Sequence, residues 1–373
     1  MLGVIELIEQ GIADGLHLGA QVCVSQHGET IADIAIGKVS AEPDSPDLTP
    51  DSIALWMSSG KPITATAIGQ LYDRGELDFD DPVAQYLPTF AAHGKHEITI
   101  AQLLMHTAGI RTARFKYPQD DWDTIVAAIC DTTPQWPAGE QAGYHIQTSW
   151  FILGELVRVI DGRPIDAYVR DEIFEPLLML DSWMGMPPGI YDGYVQAGRL
   201  MTMPNTAAGE TRNSPLTSRD WSIRPRPGGN CMGPIRELAR FYQMLLAGGE
   251  LDAARILKPS TAALLTSRRR AGMFDQTFKA TVDWSLGFVM NSAEHAPRKD
   301  DGGADLMAIP YGYGPHASRR TYGHSGAQSS VGFADPVNEL AVGVVFNGMP
   351  GEGRHQTRIT PMLEAIYRDI HAK

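Results

Sequence analysis

Residues 55–67 read LWMSSGKPITATA, and a helix is predicted to begin within them. Ser58 and Lys61 are three residues apart, so they share one helical face a single turn apart. This spacing brings an amine within reach of a hydroxyl, which is what an unactivated serine needs to become a nucleophile. A helix start also offers free backbone N–H groups near the serine. A Ser-x-x-Lys pair occurs by chance about once or twice in a chain of this length, so the pattern needs support from elsewhere.

The elements around this helix are predicted from apolar periodicity. The other predicted helices are 1–19, 100–106, 150–160, 165–174, 235–246 and 360–370. The predicted strands are 20–25, 29–36, 285–290, 328–334 and 340–346. Residues 186–230 are rich in Pro, Gly, Thr and Arg without periodicity, which predicts a loop. Strands at both ends with helices between them predict one mixed α+β domain with a helical domain inserted in it.

Composition and charge narrow the possible partners. The chain has 373 residues, 43% of them hydrophobic and 20% charged, as in an ordinary globular protein. The net charge of −13 disfavours nucleic acid and anionic membranes as partners. The first 19 residues fit an amphipathic helix, because acidic residues interrupt their apolar positions and no basic segment opens them. We therefore expect neither a signal peptide nor a membrane span.

The three cysteines, Cys23, Cys130 and Cys231, are odd in number and far apart, and no CxxC pair occurs. They are predicted to be buried thiols in a reducing compartment, so the cytoplasm is the expected location. No metal site and no cofactor are expected. The run Arg268-Arg269-Arg270 is predicted to be a solvated helix end.

Two further stretches carry candidate catalytic side chains. Tyr144 precedes the helix predicted at 150–160, and a phenol near a lysine can have its pKa lowered and act as a general base. Residues 323–327 read GHSGA ahead of a strand-like run. A strand beside the nucleophile can present His324 as a cationic or donor side chain, and its backbone N–H can help to form an oxyanion hole.

With these three motifs, the chain resembles the serine β-lactamase and penicillin-binding protein family, and most closely its class C branch. That branch includes D-alanyl-D-alanine peptidases, family VIII carboxylesterases and lovastatin-type acyltransferases. The resemblance extends over nearly the whole chain, through DPVAQYLP (81–88), ITIAQLLMHTAGI (98–110) and IFEPL (173–177). It implies an antiparallel sheet flanked by helices, formed by residues 1–76 and 234–373. Residues 77–233 would be the helical domain with long loops, and the active site would lie between the two domains.

The resemblance also implies roles for individual residues. Ser58 would be the acylated nucleophile, with proton transfer shared by Lys61 and Tyr144. The backbone N–H groups of Ser58 and Ala327 would form the oxyanion hole. The remaining residues expected to bind the substrate or the oxyanion are His324, Gly326, His145 and Gln147. His145 is also expected to be a pocket-wall or solvent-exposed residue.

One position departs from the family pattern and bears on the substrate. Many relatives carry Asn two residues after the tyrosine, where it contacts the substrate amide, whereas this chain has Ile146. Gln147 is a candidate to supply that amide. The departure favours a serine hydrolase of the esterase type that acts on small esters through an acyl-enzyme. A β-lactamase, a D-amino peptidase or amidase, and an acyltransferase of the same fold remain alternatives, and the oligomeric state is not predicted.

Two readings of a different kind stay open. GHSGA imitates a nucleophile elbow, with Ser325 as the nucleophile. In that fold an acid and a histidine must follow the serine, and only 48 residues (373 − 325) come after Ser325. The other reading is a non-catalytic binding protein that keeps the pocket. The presence of all three of Ser58, Lys61 and Tyr144 argues against decay of the site.

Overall fold

The computed structural model describes residues 1–207, 211–297 and 310–371. In chain order, its strands are β1 (Gly19–Gln26), β2 (Glu29–Gly37), β3 (Ala54–Leu55), β4 (Trp183–Met184), β5 (Cys231–Gly233), β6 (Glu250–Leu251), β7 (Ala254–Arg255), β8 (Phe274–Asp275), β9 (Ala280–Thr281), β10 (Val289–Met290), β11 (Tyr322–Gly326), β12 (Ser330–Asp335) and β13 (Leu340–Phe346). Its helices are α1 (Leu2–Ala13), α2 (Lys61–Arg74), α3 (Val83–Tyr86), α4 (Ile100–Leu104), α5 (Trp122–Cys130), α6 (Thr148–Asp161), α7 (Ile165–Val169), α8 (Pro188–Gln196), α9 (Arg219–Ser222), α10 (Ile235–Leu246), α11 (Pro259–Thr266) and α12 (Glu352–His371).

The main sheet has six antiparallel strands in the order β10-β11-β12-β13-β1-β2. Both faces of β1 are buried. Val22 and Val24 pack with α1 and α12, and Cys23 joins the core on the opposite face. On that face α10 packs against β1, β12 and β13. The predicted α+β fold, with an antiparallel sheet flanked by helices, is therefore confirmed.

Helix α2 runs through the interior. Every residue from Lys61 to Leu71 is buried, as is typical of a helix surrounded by protein. It ends at Gly75, whose φ of 73° lies in the left-handed region that glycine adopts without strain. The predicted helix end at this glycine is confirmed.

A second, small sheet fixes the start of α2. Its strand order is β3-β5-β4, so residues 54–55 pair with residues 232–233. Strands β4 and β5 lie within the segment predicted as helical, 77–233, which therefore contributes strands as well as helices α3 to α9. The division into two domains at residues 76 and 233 stays a prediction.

Several element predictions need correction. Residues 186–230 are not all loop, because they contain α8 and α9. Residues 322–326 are themselves a strand, β11, which the two glycines in its sequence had hidden. Only two residues of the strand predicted at 285–290 pair in the sheet, and α12 begins at Glu352 although Pro361 lies within it.

The environment of the cysteines agrees with the prediction from composition. The three cysteines are buried and unpaired, as predicted for structural thiols. Across the described ranges, no helix has the length and apolar character needed to cross a bilayer.

Candidate active site

The local backbone around Ser58 presents its hydroxyl at a sharp bend. Strand β3 ends at Leu55, and Met57 follows with a φ of 50°, which is uncommon for a residue with a side chain. Residues Met57–Gly60 then form a 3-10 turn that leads into α2. The Trp56 N–H donates to the Cys231 carbonyl over 2.9 Å, and the Trp56 indole N–H donates to the Gly233 carbonyl over the same distance. These bonds tie the bend to β5 and hold Ser58 half-buried at the head of α2.

Lys61 lies directly beside the Ser58 hydroxyl. Its side chain is fully buried, and Nζ lies 2.9 Å from Ser58 Oγ and donates to the Gly228 carbonyl. The rings of Tyr144 and Trp150 lie 5.1 and 5.4 Å from Nζ. Burial holds the pKa of Lys61 well below its usual value, which favours a neutral amine. A neutral amine has a lone pair that can accept the proton of the serine.

The positive charge of the Arg226 guanidinium also acts on the Lys61 amine. Arg226 is buried, with its guanidinium 5.1 Å from the Tyr117 ring and 5.0 Å from the Trp221 ring. Its Nη2 donates to the Gly229 carbonyl over 3.0 Å. The like charge of Arg226 lowers the pKa of Lys61 further, after the larger effect of burial. Sequence reasoning missed Arg226, because nothing in the loop 222–230 identifies it as buried.

Tyr144 completes the set of groups on the serine. Its hydroxyl donates to Ser58 Oγ over 2.9 Å. Burial raises the pKa of Tyr144 above its usual value, so the phenol keeps its proton. The expectation of a lowered pKa at this position is therefore wrong. The arrangement instead makes Lys61 the candidate base and Tyr144 a proton donor to Ser58 Oγ.

Strand β11 and its neighbour β12 dock on the nucleophile turn through side-chain hydrogen bonds. Ser59 Oγ donates to the His324 carbonyl over 2.9 Å, and Ser330 Oγ donates to the Trp56 carbonyl over 2.6 Å. Gly326 is required for this approach, since a Cβ there would lie 2.6 Å from the Trp56 carbonyl oxygen. The strand therefore lies directly against the turn that carries Ser58.

The close approach of β11 defines the candidate oxyanion hole. The Ser58 N–H lies in the first turn of a 3-10 helix, where backbone N–H groups have no partner within the helix. Ala327 directly follows β11 and is exposed. These two N–H groups stay the predicted pair for the oxyanion, and Gly326 acts by allowing close contact.

His324 has a different character from the one expected. The ring is buried, and Nδ1–H donates to the Ser325 carbonyl over 2.7 Å, which leaves Nε2 as an unpartnered acceptor. Burial and the nearby Lys61 lower the pKa of His324 to about 3. His324 is therefore not a cation, and it offers a lone pair beside Tyr144, whose ring lies 5.8 Å away.

His145 and Gln147, which follow Tyr144 and were predicted to bind the substrate, have different surroundings in the structure. His145 is fully buried, and its Nδ1 shares a hydrogen bond of 2.8 Å with Ser149 Oγ. Its side chain is therefore not solvent-exposed, its Nε2 is buried without a partner, and its part in substrate binding stays a prediction. Gln147 lies at the start of α6 and its Oε1 is buried without a partner, so it can still meet a ligand. The side chain of Ile146 is 54% exposed.

A buried ion pair holds the Tyr144 loop, and sequence reasoning missed it. Asp275 Oδ1 accepts the backbone N–H groups of Tyr144 (3.0 Å) and Thr277 (2.9 Å), and Oδ2 lies 3.3 Å from Arg270 Nη2. The Phe278 ring stacks on Tyr144 at 4.7 Å. Arg270 is 4% exposed, so the prediction of a solvated helix end is wrong at this residue. Asp275 and Tyr144 are 131 residues apart in sequence, so no local sequence pattern indicates that they are in contact.

The described residues also contain a group with three possible metal-ligand atoms, from Asp283, Glu294 and His295. Arg268 already pairs with the Asp283 carboxylate, and Arg319 pairs with that of Glu294. Because these carboxylates are already neutralised, we assign no metal to the group.

Buried imidazoles should make the protein acid-labile. The pKa values of His17, His145, His324 and His355 are each lowered by burial to about 3. Between pH 6.5 and 3 the unfolded chain binds protons at these sites and the native state does not, so stability falls as the pH falls. Each such histidine contributes a slope of up to about 1.4 kcal/mol per pH unit. We expect the urea midpoint to drop steeply from pH 6.5 to 4.5, and a flat midpoint over that range would contradict it.

Comparisons with known proteins identify the family and the fold of this chain. The family model described as Beta-lactamase matches residues 4–366. The esterase/beta-lactamase LipL of Mycobacterium tuberculosis (strain ATCC 25618 / H37Rv) is 27% identical over 326 residues, which cover 80% of this chain and 70% of that protein. Penicillin-binding protein 4 of Amycolatopsis lactamdurans is 31% identical over 274 residues, 71% of this chain and 69% of that protein.

Two solved structures superpose over nearly the whole chain. A penicillin-binding protein homologue from Caulobacter crescentus has a TM-score of 0.80 and 28% identity, covering 98% of this chain and 97% of its own. A family VIII carboxylesterase has the same TM-score and identity, covering 98% of this chain and 96% of its own.

Proposed function

This chain belongs to the Beta-lactamase family, whose fold it shares with known hydrolases, and from that premise we propose that it is a serine carboxylesterase that forms an acyl-enzyme on Ser58. One observation carries the proposal: Ser58 Oγ lies 2.9 Å from both Lys61 Nζ and Tyr144 Oη. A hydroxyl held between a neutral amine and a protonated phenol has both a proton acceptor and a proton donor.

Acylation follows from these contacts. As Ser58 Oγ attacks the ester carbonyl carbon, its proton moves to the lone pair of Lys61 Nζ. The carbonyl oxygen becomes an oxyanion, and the N–H groups of Ser58 and Ala327 are proposed to stabilise it. When the intermediate collapses, the C–O bond to the alcohol breaks. The leaving oxygen takes a proton from Tyr144 Oη, which regains one from Lys61.

Deacylation uses the same groups, with a water molecule in place of the serine as the nucleophile. A water molecule attacks the acyl carbon and gives its proton to the neutral Lys61, directly or through Tyr144. The Ser58 oxygen leaves and is reprotonated, which releases the carboxylic acid and restores the starting state. Because the base must be unprotonated in both steps, the lowered pKa of Lys61 makes the neutral amine available at a lower pH than in an ordinary lysine.

The walls near Tyr144 favour an ester with an apolar acyl group. The exposed Ile146 side chain stands two residues after the tyrosine and cannot hydrogen bond to an amide. Phe278 covers the Tyr144 ring. Gln147 Oε1 is the unpartnered polar atom we propose for substrate binding on this side.

A side-by-side screen tests the proposed reaction. We expect p-nitrophenyl acetate and butyrate to be turned over with a kcat/KM at least about fivefold above that for nitrocefin or a D-alanyl amide, since the absent amide contact at residue 146 costs about 1 kcal/mol. Dominant turnover of nitrocefin or of the D-alanyl amide would replace the esterase by a β-lactamase or an amidase. Product esters formed with an added alcohol would indicate acyl transfer, and no turnover at all would indicate a binding protein.

Ile146→Asn should shift the preference toward amides. An amide at this position gives the substrate carboxamide a hydrogen-bond partner, worth about 1 kcal/mol or about fivefold in kcat/KM. We expect the ratio of nitrocefin to ester turnover to rise by that factor. Val159→Asn replaces another half-exposed aliphatic residue, on α6, and serves as the control. An unchanged ratio in Ile146→Asn would show that residue 146 does not select the acyl group.

A further inference from the structure

The loop that carries Tyr144 lies along a short segment that follows α4. The Thr107 carbonyl accepts the Gly139 N–H over 3.0 Å, and the Gly109 carbonyl accepts the Gln135 N–H over 2.8 Å. The Thr148 hydroxyl donates to the Ile110 carbonyl at the far end. Residues 106–110 are therefore a backbone support for residues 135–148. The stretch 98–110 resembles the family in sequence, yet the proposed chemistry uses none of its side chains.

His106 is the member of this support that reaches Tyr144 from two sides. Its carbonyl accepts the Gly143 N–H over 3.0 Å, and its ring Nδ1 accepts the His145 N–H over 3.0 Å. The backbone N–H groups of Gly143 and His145, the residues on either side of Tyr144, are thus both bonded to His106. The His106 ring also packs on the Tyr144 ring at 4.8 Å and on the Trp284 ring at 4.4 Å.

The protonation state of the His106 ring is consistent with the hydrogen bond that Nδ1 accepts from the His145 N–H. Nδ1 can accept a hydrogen bond only when it carries no proton, so the neutral ring has its proton on Nε2. The ring is fully buried, and burial with nearby positive groups keeps the pKa of His106 well below its usual value. The backbone has a φ of 61°, in the left-handed region that only a few per cent of residues other than glycine adopt, although histidine is among those that adopt it more often. A strained conformation that persists at such a contact points to a positional role.

We infer that His106 is a positioning residue that holds the Tyr144 hydroxyl over Ser58. It acts through Tyr144 and does not touch the reacting atoms. The inference rests on the proposed esterase activity for its kinetic test, and on the Ser58–Tyr144 geometry alone for its structural test.

His106→Gly removes the ring and suits the left-handed backbone. We expect kcat for p-nitrophenyl butyrate to fall by about 100-fold with KM nearly unchanged, because misplacing a catalytic group by about 1 Å has this effect. Added imidazole should restore part of the rate by refilling the cavity. His17→Gly is the matched control: it removes another buried ring, between α1 and β1, and should leave kcat within about threefold. If His106→Gly fails to fold, His106→Asn keeps a polar acceptor and tolerates the backbone.

A double-variant cycle separates positioning from general damage. If His106 acts through Tyr144, then His106→Gly should lower kcat by less than about threefold when Tyr144 is already phenylalanine. An equal 100-fold loss in both backgrounds would overturn the inference, as would a His106→Gly enzyme with normal kcat.

A crystal structure of His106→Gly tests the same inference without any activity. We expect the distance from Tyr144 Oη to Ser58 Oγ to exceed its 2.9 Å by about 1 Å or more, and to be unchanged in His17→Gly. An unmoved Tyr144 would refute the role of His106 even if the esterase proposal holds. If Tyr144 is displaced in His106→Gly but the wild-type protein has no esterase activity, the esterase proposal is refuted and the positioning role is supported.

Discussion

Ser58→Ala is expected to lower kcat/KM for ester hydrolysis by about 10⁴-fold or more, as removal of a nucleophile does in other serine hydrolases. The substitution deletes the oxygen that Lys61 and Tyr144 both contact at 2.9 Å, so neither group retains a reacting partner. The fold should survive, because Ser58 is half-buried and its side chain bonds only to these two residues among those described. Rates with p-nitrophenyl butyrate and circular dichroism spectra measure the two effects separately.

Ser325→Ala is the matched control for this variant. Ser325 lies on β11, which turns directly into β12, whereas a nucleophile elbow needs a helix after its strand. The chain fold thus opposes the reading of Ser325 as nucleophile, and we expect Ser325→Ala to keep most of its activity. Loss of activity in Ser325→Ala together with retention in Ser58→Ala would reverse the assignment.

Lys61→Met should lower kcat by about 10³-fold, the typical contribution of a general base. Methionine fits the buried site in size but has no lone pair of comparable basicity. In the wild type, kcat/KM should rise with pH as Lys61 loses its proton and should level off well below pH 10.5, because the pKa is lowered. Lys61→Met should lose this rise, and pH–rate profiles of the two proteins make the comparison.

Lys95→Met is the control for Lys61→Met, because it removes a buried lysine that lies outside the proposed active site. Lys95 is also fully buried, and its Nζ donates to the carbonyls of Ala92, Cys130 and Thr132 at 2.6–2.8 Å. Its removal takes the ammonium donor from three carbonyls and should cost about 1–3 kcal/mol of stability. The kcat of the folded Lys95 variant should stay close to that of the wild type. An intact pH profile in Lys61→Met would show that another group is the base.

Local patterns predicted those parts of the fold that depend on local chemistry. The hairpin of β1 and β2, the helix end at Gly75 and the span of α10 follow from alternation, glycine position and helical period. Strand β11 escaped prediction because its residues Tyr322–Gly326 include two glycines, which local propensity excludes from strands. Tertiary contact requires that sequence: a Cβ at Gly323 would lie 2.2 Å from the Gly332 carbonyl oxygen on β12.

The sequence predicted which residues form the site but not their protonation states. The types and order of Ser58, Lys61 and Tyr144 identified three groups that the structure brings together. Their protonation depends on burial, which reverses the expected shift of the Tyr144 pKa and rules out the cationic alternative for His324. The supporting ion pair of Asp275 and Arg270 comes from a distant hairpin, so no spacing near Tyr144 could indicate it.

Covalent labelling tests the proposed nucleophile most directly. The protein would be treated with a fluorophosphonate, digested and mapped by tandem mass spectrometry, with Tyr144→Phe and Lys61→Met labelled in parallel. We expect one phosphonyl group, on the peptide that contains Ser58, and much slower labelling of both variants. An adduct on Ser325 or on any other residue, with Ser58 unmodified, would contradict the central proposal.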